Sequence, residues 1–378
     1  MVLLIHSYGI GVVHRQGFLW QVAHAGWMGV DLFFVLSGYL ITGILLSSRG
    51  SKSYFSAFFA RRALRIFPAY FAVLMCLLLL GWGVPSLRTE GFQRFLHQQG
   101  WLWTFTTNVK ITLQGHVADF GSMTPGTSIF NTGHFWSVAV EEQFYWFWPF
   151  VVAALPPRRL LWAIAGILVV APVSRYLMIQ GDNSIGAYVF TAGRMDTLSL
   201  GALIAVLEQG SGLQVFRKWA LPLAALTLGV IASLALWRKG YDSLDPFVIL
   251  GGYALNGVLF ALVLVHVLTS KDGIIARCCS AKVLRFMGKY SYCVYLVHLI
   301  IANPLLLLSV HDVGYVERTA GSLFGWMSLV FVVTLTASYA VAFVLWHGLE
   351  KHFLSLKRFF PYSTLGDSPA APDRVRGV

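Results

Sequence analysis

Five side chains that can carry or move a proton stand inside apolar runs of this sequence: His6, Asp31, Glu141, Arg194 and Asp196. An ionisable group is costly at membrane depth, so each is a candidate for function. Helix rise gives their depths. Asp31 lies about 6 Å past Trp27, and Glu141 about 10 Å past His134. Arg194 and Asp196 come to about 9 and 12 Å past Tyr188, and His6 to about 10 Å below the far end of its run. These depths read as one polar layer. Imidazole titrates near neutral pH, so His6 is the natural general base of the set. The bland alternative for His6 is a structural hydrogen-bond partner. For the carboxylates and Arg194 it is a set of ion pairs that lock helices together, Arg194 with Asp31 or with Glu141.

Glu141 belongs to HFWSVAVEEQFYWFWP. Ser137, Glu141 and Tyr145 recur at i, i+4 and share one helix face, while Glu142 faces elsewhere. A polar stripe on an aromatic helix needs buried partners. In FFARRALRI, Arg62 and Arg65 share a face and present forked donors suited to phosphates. Attraction to anionic lipid headgroups explains the same pair and, on spacing alone, is the favoured reading. Cys76, Cys278, Cys279 and Cys293 show no metal-ligand or disulfide spacing, so no metal site is expected.

The elements that must position these groups are apolar runs of about the ~20 residues that span a bilayer. Of 378 residues, 57% are hydrophobic and only 12% charged. That balance excludes an ordinary soluble enzyme and a disordered scaffold. Continuous runs exclude an outer-membrane barrel, whose strands alternate. The spacing predicts an all-α, polytopic membrane helical bundle of about ten helices. They fall near 1–13, 27–47, 67–83, 134–154, 160–178, 188–207, 219–237, 247–268, 290–308 and 323–347. The first run is too short to cross ~30 Å, which predicts a chain clipped at its N-terminus.

The net charge of +12 fits basic inner loops better than nucleic-acid binding. Alternate loops hold nineteen and eight Lys or Arg, Arg175 among the eight. The richer set marks the cytoplasmic side and puts both termini inside. Residues 51–66 read as an amphipathic helix on that inner surface, separate from the 67–83 span. Residues 84–133 read as a long outer loop, a common place for function. Residues 1–355 form the expected transmembrane domain, with 356–378 a disordered cytoplasmic tail.

The motifs GWMGVDLFFVLSGYLITGILL, FFARRALRIFPAY, HFWSVAVEEQFYWFWP, RMDTLSLGALIA and GKYSYCVYLVHLII occur in this order. Together they closely resemble the acyltransferase 3 family of membrane O-acyltransferases. The resemblance spans about residues 1–355. It implies an enzyme of the bacterial inner membrane that moves an acyl group, most often acetyl, from acyl-CoA to a hydroxyl of a carbohydrate or lipid-linked glycan. It implies no permanently bound cofactor, with acetyl-CoA or another acyl-CoA as donor substrate. Carried over by motif, His6, Asp31 and Glu141 are the catalytic set, and Arg62 and Arg65 bind acyl-CoA. Ser137, Arg194, Asp196, Tyr292 and His298 form a supporting polar layer. Glu350 receives no role, because the element after it reads Lys351-His352 without the family's proline. Direct transfer and a covalent acyl-His intermediate remain alternatives. The competing class is a glycolipid or acyl-carrier transporter, which prefers repeated, broken helices that this chain lacks.

Overall fold

Apolar runs in this chain can satisfy their backbone polar groups only within helices, and helices are what they form. The computed structural model describes residues 3, 21–22, 24–117, 129–270, 272–311 and 320–362. No strand occurs among the described residues, and the protein is an all-α polytopic membrane bundle. Its helices are α1 (Met28–Ser47), α2 (Tyr54–Gly83), α3 (Glu90–His97), α4 (Gln99–Trp103) and α5 (Thr107–Gln114). There follow α6 (Trp136–Ala154), α7 (Pro157–Gln180), α8 (Ser184–Val189), α9 (Thr191–Gln209) and α10 (Ala220–Trp237). The last are α11 (Tyr253–Thr269), α12 (Ile274–Cys279), α13 (Lys282–His311), α14 (Ala320–Leu345) and α15 (Lys351–Ser355).

Among the described residues, seven segments are long and apolar enough to cross a membrane: Ala25–Ser47, Tyr54–Gly83, Pro157–Gln180, Ser184–Gln209, Ala220–Trp237, Val248–Thr269 and Ser328–Phe359. Helices α6 and α13 lie outside that group; α6 carries Glu141 and Glu142, and α13 starts through Lys282, Arg285 and Lys289. The expected first span falls on residues that, Leu3 apart, lie outside the described ones, and His6 lies there too.

Helix α9 is the hub, packed on α1, α7 and α11. Small residues let backbones approach where no hydrophobic drive exists between membrane helices. A Cβ at Gly38 of α1 would collide with the Leu198 carbonyl of α9, and one at Gly201 with the Val35 carbonyl. The hub helices α1 and α9 are largely buried, while α7 and α10 turn most of their length outward. Trp162 of α7 and Leu226 of α10 are exposed apolar side chains there, as are Phe147 of α6 and Val344 of α14 elsewhere on the surface.

Three segments differ from their sequence-based reading. Residues 51–66 do not lie apart from the next span: α2 is one helix of 30 residues. Pro68 sits inside it, and a membrane helix tolerates proline where neighbours supply other contacts. Residues 84–133 are not simply loop. Helices α3, α4 and α5 bury Phe92, Phe95, Leu102 and Ile111 against the bundle. At Phe105 the backbone turns left-handed (φ 53°), and the ring stacks on Phe67 of α2 at 5.5 Å. Residues 356–362, expected in the disordered tail, are docked. Arg61 donates to the carbonyls of Lys357 and Phe360, both at 3.2 Å, and Ser53 donates to that of Pro361. Residues 363–378 lie outside the described ones.

Candidate active site

Helix α6 enters the bundle as predicted, with Ser137, Glu141 and Tyr145 along one face. Glu141 is buried, and Ser37 of α1 donates to its Oε1 at 2.6 Å. Tyr145 also donates to Oε1, and the Ser37 and Tyr145 hydroxyls lie 2.5 Å apart. One turn toward the start of α6, Ser137 Oγ lies 2.5 Å from the Tyr295 hydroxyl of α13. Tyr295 donates to the His134 carbonyl at 2.7 Å. The His134 and His298 rings are 4.9 Å apart, and His298 Nδ1 donates to the Tyr295 carbonyl at 2.6 Å. Ser137 and His298 of the expected supporting layer therefore share one polar string. Tyr292 stands a turn away and donates to the Ile66 carbonyl of α2 at 3.0 Å.

The single polar layer is corrected. Asp31 and Arg194 meet as an ion pair with neither side chain exposed, and Asn256 of α11 donates to Asp31 Oδ2 at 2.9 Å. Asp196 pairs with Arg175 of α7 at 2.7 Å. The rings of Tyr253 and Tyr188 flank the Arg194 guanidinium at 4.3 and 5.4 Å. Glu141 is not part of this knot. Its partner Ser37 follows Asp31 by six residues on α1, about 9 Å further along the axis. Depth counted from each helix's own start misled because helices begin at different levels. Arg175, assigned by sequence to an outer loop, is fully buried. Its position inside the 160–178 run was the signal that could have found it. Asn256 gave no sequence signal, since an amide in an apolar run carries no charge.

At the start of α2 the two expected donor-binding arginines part company. Arg65 forms an ion pair with Glu350, the residue given no role. Glu350 sits in a π-helical turn, Trp346–Glu350, after α14. Cys293 donates to its other oxygen at 3.1 Å. The Arg65 guanidinium lies near the rings of Trp346 and Tyr292, at 5.8 and 6.0 Å. Arg62 points instead toward the Tyr145 ring, 6.0 Å away. Lys357 lies beside Arg61, Arg62 and Arg65, so four basic side chains gather at this end, and Arg65 alone among them pairs with Glu350 within ion-pair distance. Burial pushes the nearby Tyr362 phenol above its ordinary range, against the pull of Arg62 and Arg61. Such an excess of forked donors suits a polyanion.

A model of the Acyltransferase domain family matches residues 1–347. The chain is 29% identical over 323 residues to a putative peptidoglycan O-acetyltransferase, YrhL, of Bacillus subtilis, covering 80% of this chain and 48% of that protein. It is 30% identical over 310 residues to O-acetyltransferase OatA of Staphylococcus aureus, covering 77% and 48%. To peptidoglycan O-acetyltransferase OatA of Listeria monocytogenes it is 28% identical over 302 residues, covering 76% and 46%. The chain thus spans about half the length of the curated relatives it matches. No solved structure matches it. With its buried carboxylate, its cation cluster and a family match that runs to position 347, the chain belongs to the membrane acyltransferase 3 family, whose domain transfers acyl groups.

Proposed function

We propose that the chain is a membrane O-acetyltransferase that esterifies hydroxyls of a cell-wall glycan, with acyl-CoA as donor. One observation carries the reading: Tyr145 joins the buried Glu141 to the α2 arginines, donating to the carboxylate while its ring lies 6.0 Å from the Arg62 guanidinium. A candidate reaction centre and a candidate polyanion site are thus neighbours. The printed names of the relatives support a peptidoglycan acceptor. Arg65, with Arg61 and Lys357 around it, meets the donor phosphates. The acceptor oxygen attacks the thioester carbonyl, the C–S bond breaks, and the hydroxyl proton passes through a base to the thiolate. His6, which the family motif offers, is the base in this reading, and His298 is the reserve candidate. Asp31, held by Arg194 and Asn256, is given a scaffold role in place of a catalytic one.

The test is turnover by purified protein in proteoliposomes with acetyl-CoA and soluble glycan strands. Acceptor-dependent release of free CoA with ester on the glycan is expected. Glycan crossing the membrane without CoA release would favour a transporter. The membrane is proposed to be the bacterial cytoplasmic one with both termini inside, on the bias of basic loops. Cys278 and Cys279 are exposed at the basic end. An impermeant maleimide should reach them in inverted vesicles and not in intact cells; the reverse would invert the topology.

A further inference from the structure

The chain that follows α14 runs back along α2, and its contacts come in order. Glu350 forms an ion pair with Arg65. Farther on, the carbonyls of Lys357 and Phe360 each accept from Arg61 Nη1 at 3.2 Å. The Pro361 carbonyl accepts from Ser53, the residue before α2, at 3.1 Å. As the chain advances from 350 to 361, its partners retreat from 65 to 53, about 18 Å along a helix axis. The Tyr362 ring closes the track, 4.8 Å from the Arg61 guanidinium. Apolar packing does not account for this docking, because Leu356, Phe359 and Phe360 are exposed. The segment is held by its backbone carbonyls.

The attachment brings charge to the arginines. Lys357 is half-buried beside Arg61, Arg62 and Arg65, and of these four only Arg65 has an ion pair among the described residues. Arg61 thus donates to the backbone of a residue of its own sign. Like charges repel, and a fold that gathers them needs an anion to balance them. A segment held for packing alone would gain nothing from a lysine at this place.

We infer that the segment 356–362 is a wall of the donor site, that Arg61 is the positioning residue that fastens it to α2, and that Lys357 is the cation it delivers to the donor phosphates. Arg65 and Lys357 then meet the polyanion from two different parts of the chain, and Arg61 acts through the second of them. The assignment of Lys357 rests on the acyl-CoA reading above; the fastening by Arg61 does not.

The experiment uses the full chain in phosphatidylcholine nanodiscs, with acetyl-CoA as donor and soluble glycan strands as acceptor. Arg61→Gln and Lys357→Gln should each raise the donor KM about tenfold, with kcat within about twofold, as loss of one charged contact would. Because Arg61 acts through Lys357, the double variant should be hardly worse than either single one. Losses that multiply to about a hundredfold would make Arg61 a phosphate contact in its own right and overturn the positioning role. Hydrogen–deuterium exchange supplies a readout without turnover. Arg61→Gln should expose the amides of 356–360, and Lys357→Gln should leave them protected. Unchanged protection in Arg61→Gln overturns the fastening. Loosening with donor KM unchanged removes the segment from the donor site. Where Arg61→Gln fails to accumulate, Ser53→Ala should show the same loosening in milder form, and its absence counts equally against the fastening. An effect of Lys357→Gln on turnover seen only after phosphatidylglycerol is added would assign the lysine to lipid headgroups and overturn its donor role. If the unaltered protein releases no CoA from acetyl-CoA, the acyl-CoA reading fails and the assignment of Lys357 with it, while the exchange still decides whether Arg61 fastens the segment.

Discussion

The molecule holds two clusters of charge at different levels along α1, and they are built on opposite terms. In the Asp31–Arg194 knot each acid has one arginine, no side chain is exposed beyond 4%, and aromatic rings close the remaining space. At the start of α2, Arg61, Arg62, Arg65 and Lys357 gather together, and only Arg65 is tied to a carboxylate by an ion pair, that of Glu350. Arg65 is 27% exposed there, and Glu142 lacks a hydrogen bond at Oε1. A closed, neutral cluster has nothing left to bind and serves the fold. An open, unbalanced cluster is stable only with something still to come, a phosphate or a proton.

The largest effect should come from breaking the knot. Arg194→Ala leaves Asp31 buried without its charge partner and should cost about 3–5 kcal/mol, read as loss of folded protein by thermal denaturation in detergent. Replacing both by apolar residues of similar volume should recover most of it. Full stability with abolished turnover in Arg194→Ala would instead place the knot among the catalytic groups.

Next comes the opposite behaviour at Glu141. Glu141→Gln keeps the shape and should spare folding, while acyl transfer falls by about a hundredfold or more. Unfolding of this variant with normal specific activity in the surviving fraction would erase the contrast between the clusters. A smaller effect, about 1–3 kcal/mol, is expected from Gly201→Ala, because the added Cβ forces α9 away from the Val35 carbonyl of α1. Since α1 carries both Asp31 and Ser37, this variant should lose stability and turnover together. The smallest effect belongs to the partly exposed Arg238–Asp245 pair at 2.7 Å. Arg238→Ala should cost under about 1 kcal/mol and leave turnover unchanged, which calibrates how little a surface pair contributes.

Much of the site was legible because burial makes polar residues conspicuous. Asp31, Glu141, Arg194 and Asp196 all stand out against apolar neighbours, and all four are buried in the structure. Helical spacing correctly grouped Ser137, Glu141 and Tyr145, whose side chains engage partners on α1 and α13. Glu350 was passed over because the element after it departs from the family's pattern, and only the fold brings Arg65 beside it. Helical spacing missed α3 to α5, whose short amphipathic turns are stabilised by the bundle they cover.

The sequence by itself determined a helical membrane bundle, four of its buried charges (Asp31, Glu141, Arg194 and Asp196) and the polar face of α6. Those properties are local, set by hydrophobicity and by a rise and a period shared by every α-helix. The tertiary structure alone decided which charge meets which. Pairing depends on how far one helix is shifted along its neighbour, and here the glycine contact of α1 with α9 sets that level. It brought Arg194 to Asp31 rather than to Glu141, and left Glu141 among Ser37, Tyr145 and the arginines of α2.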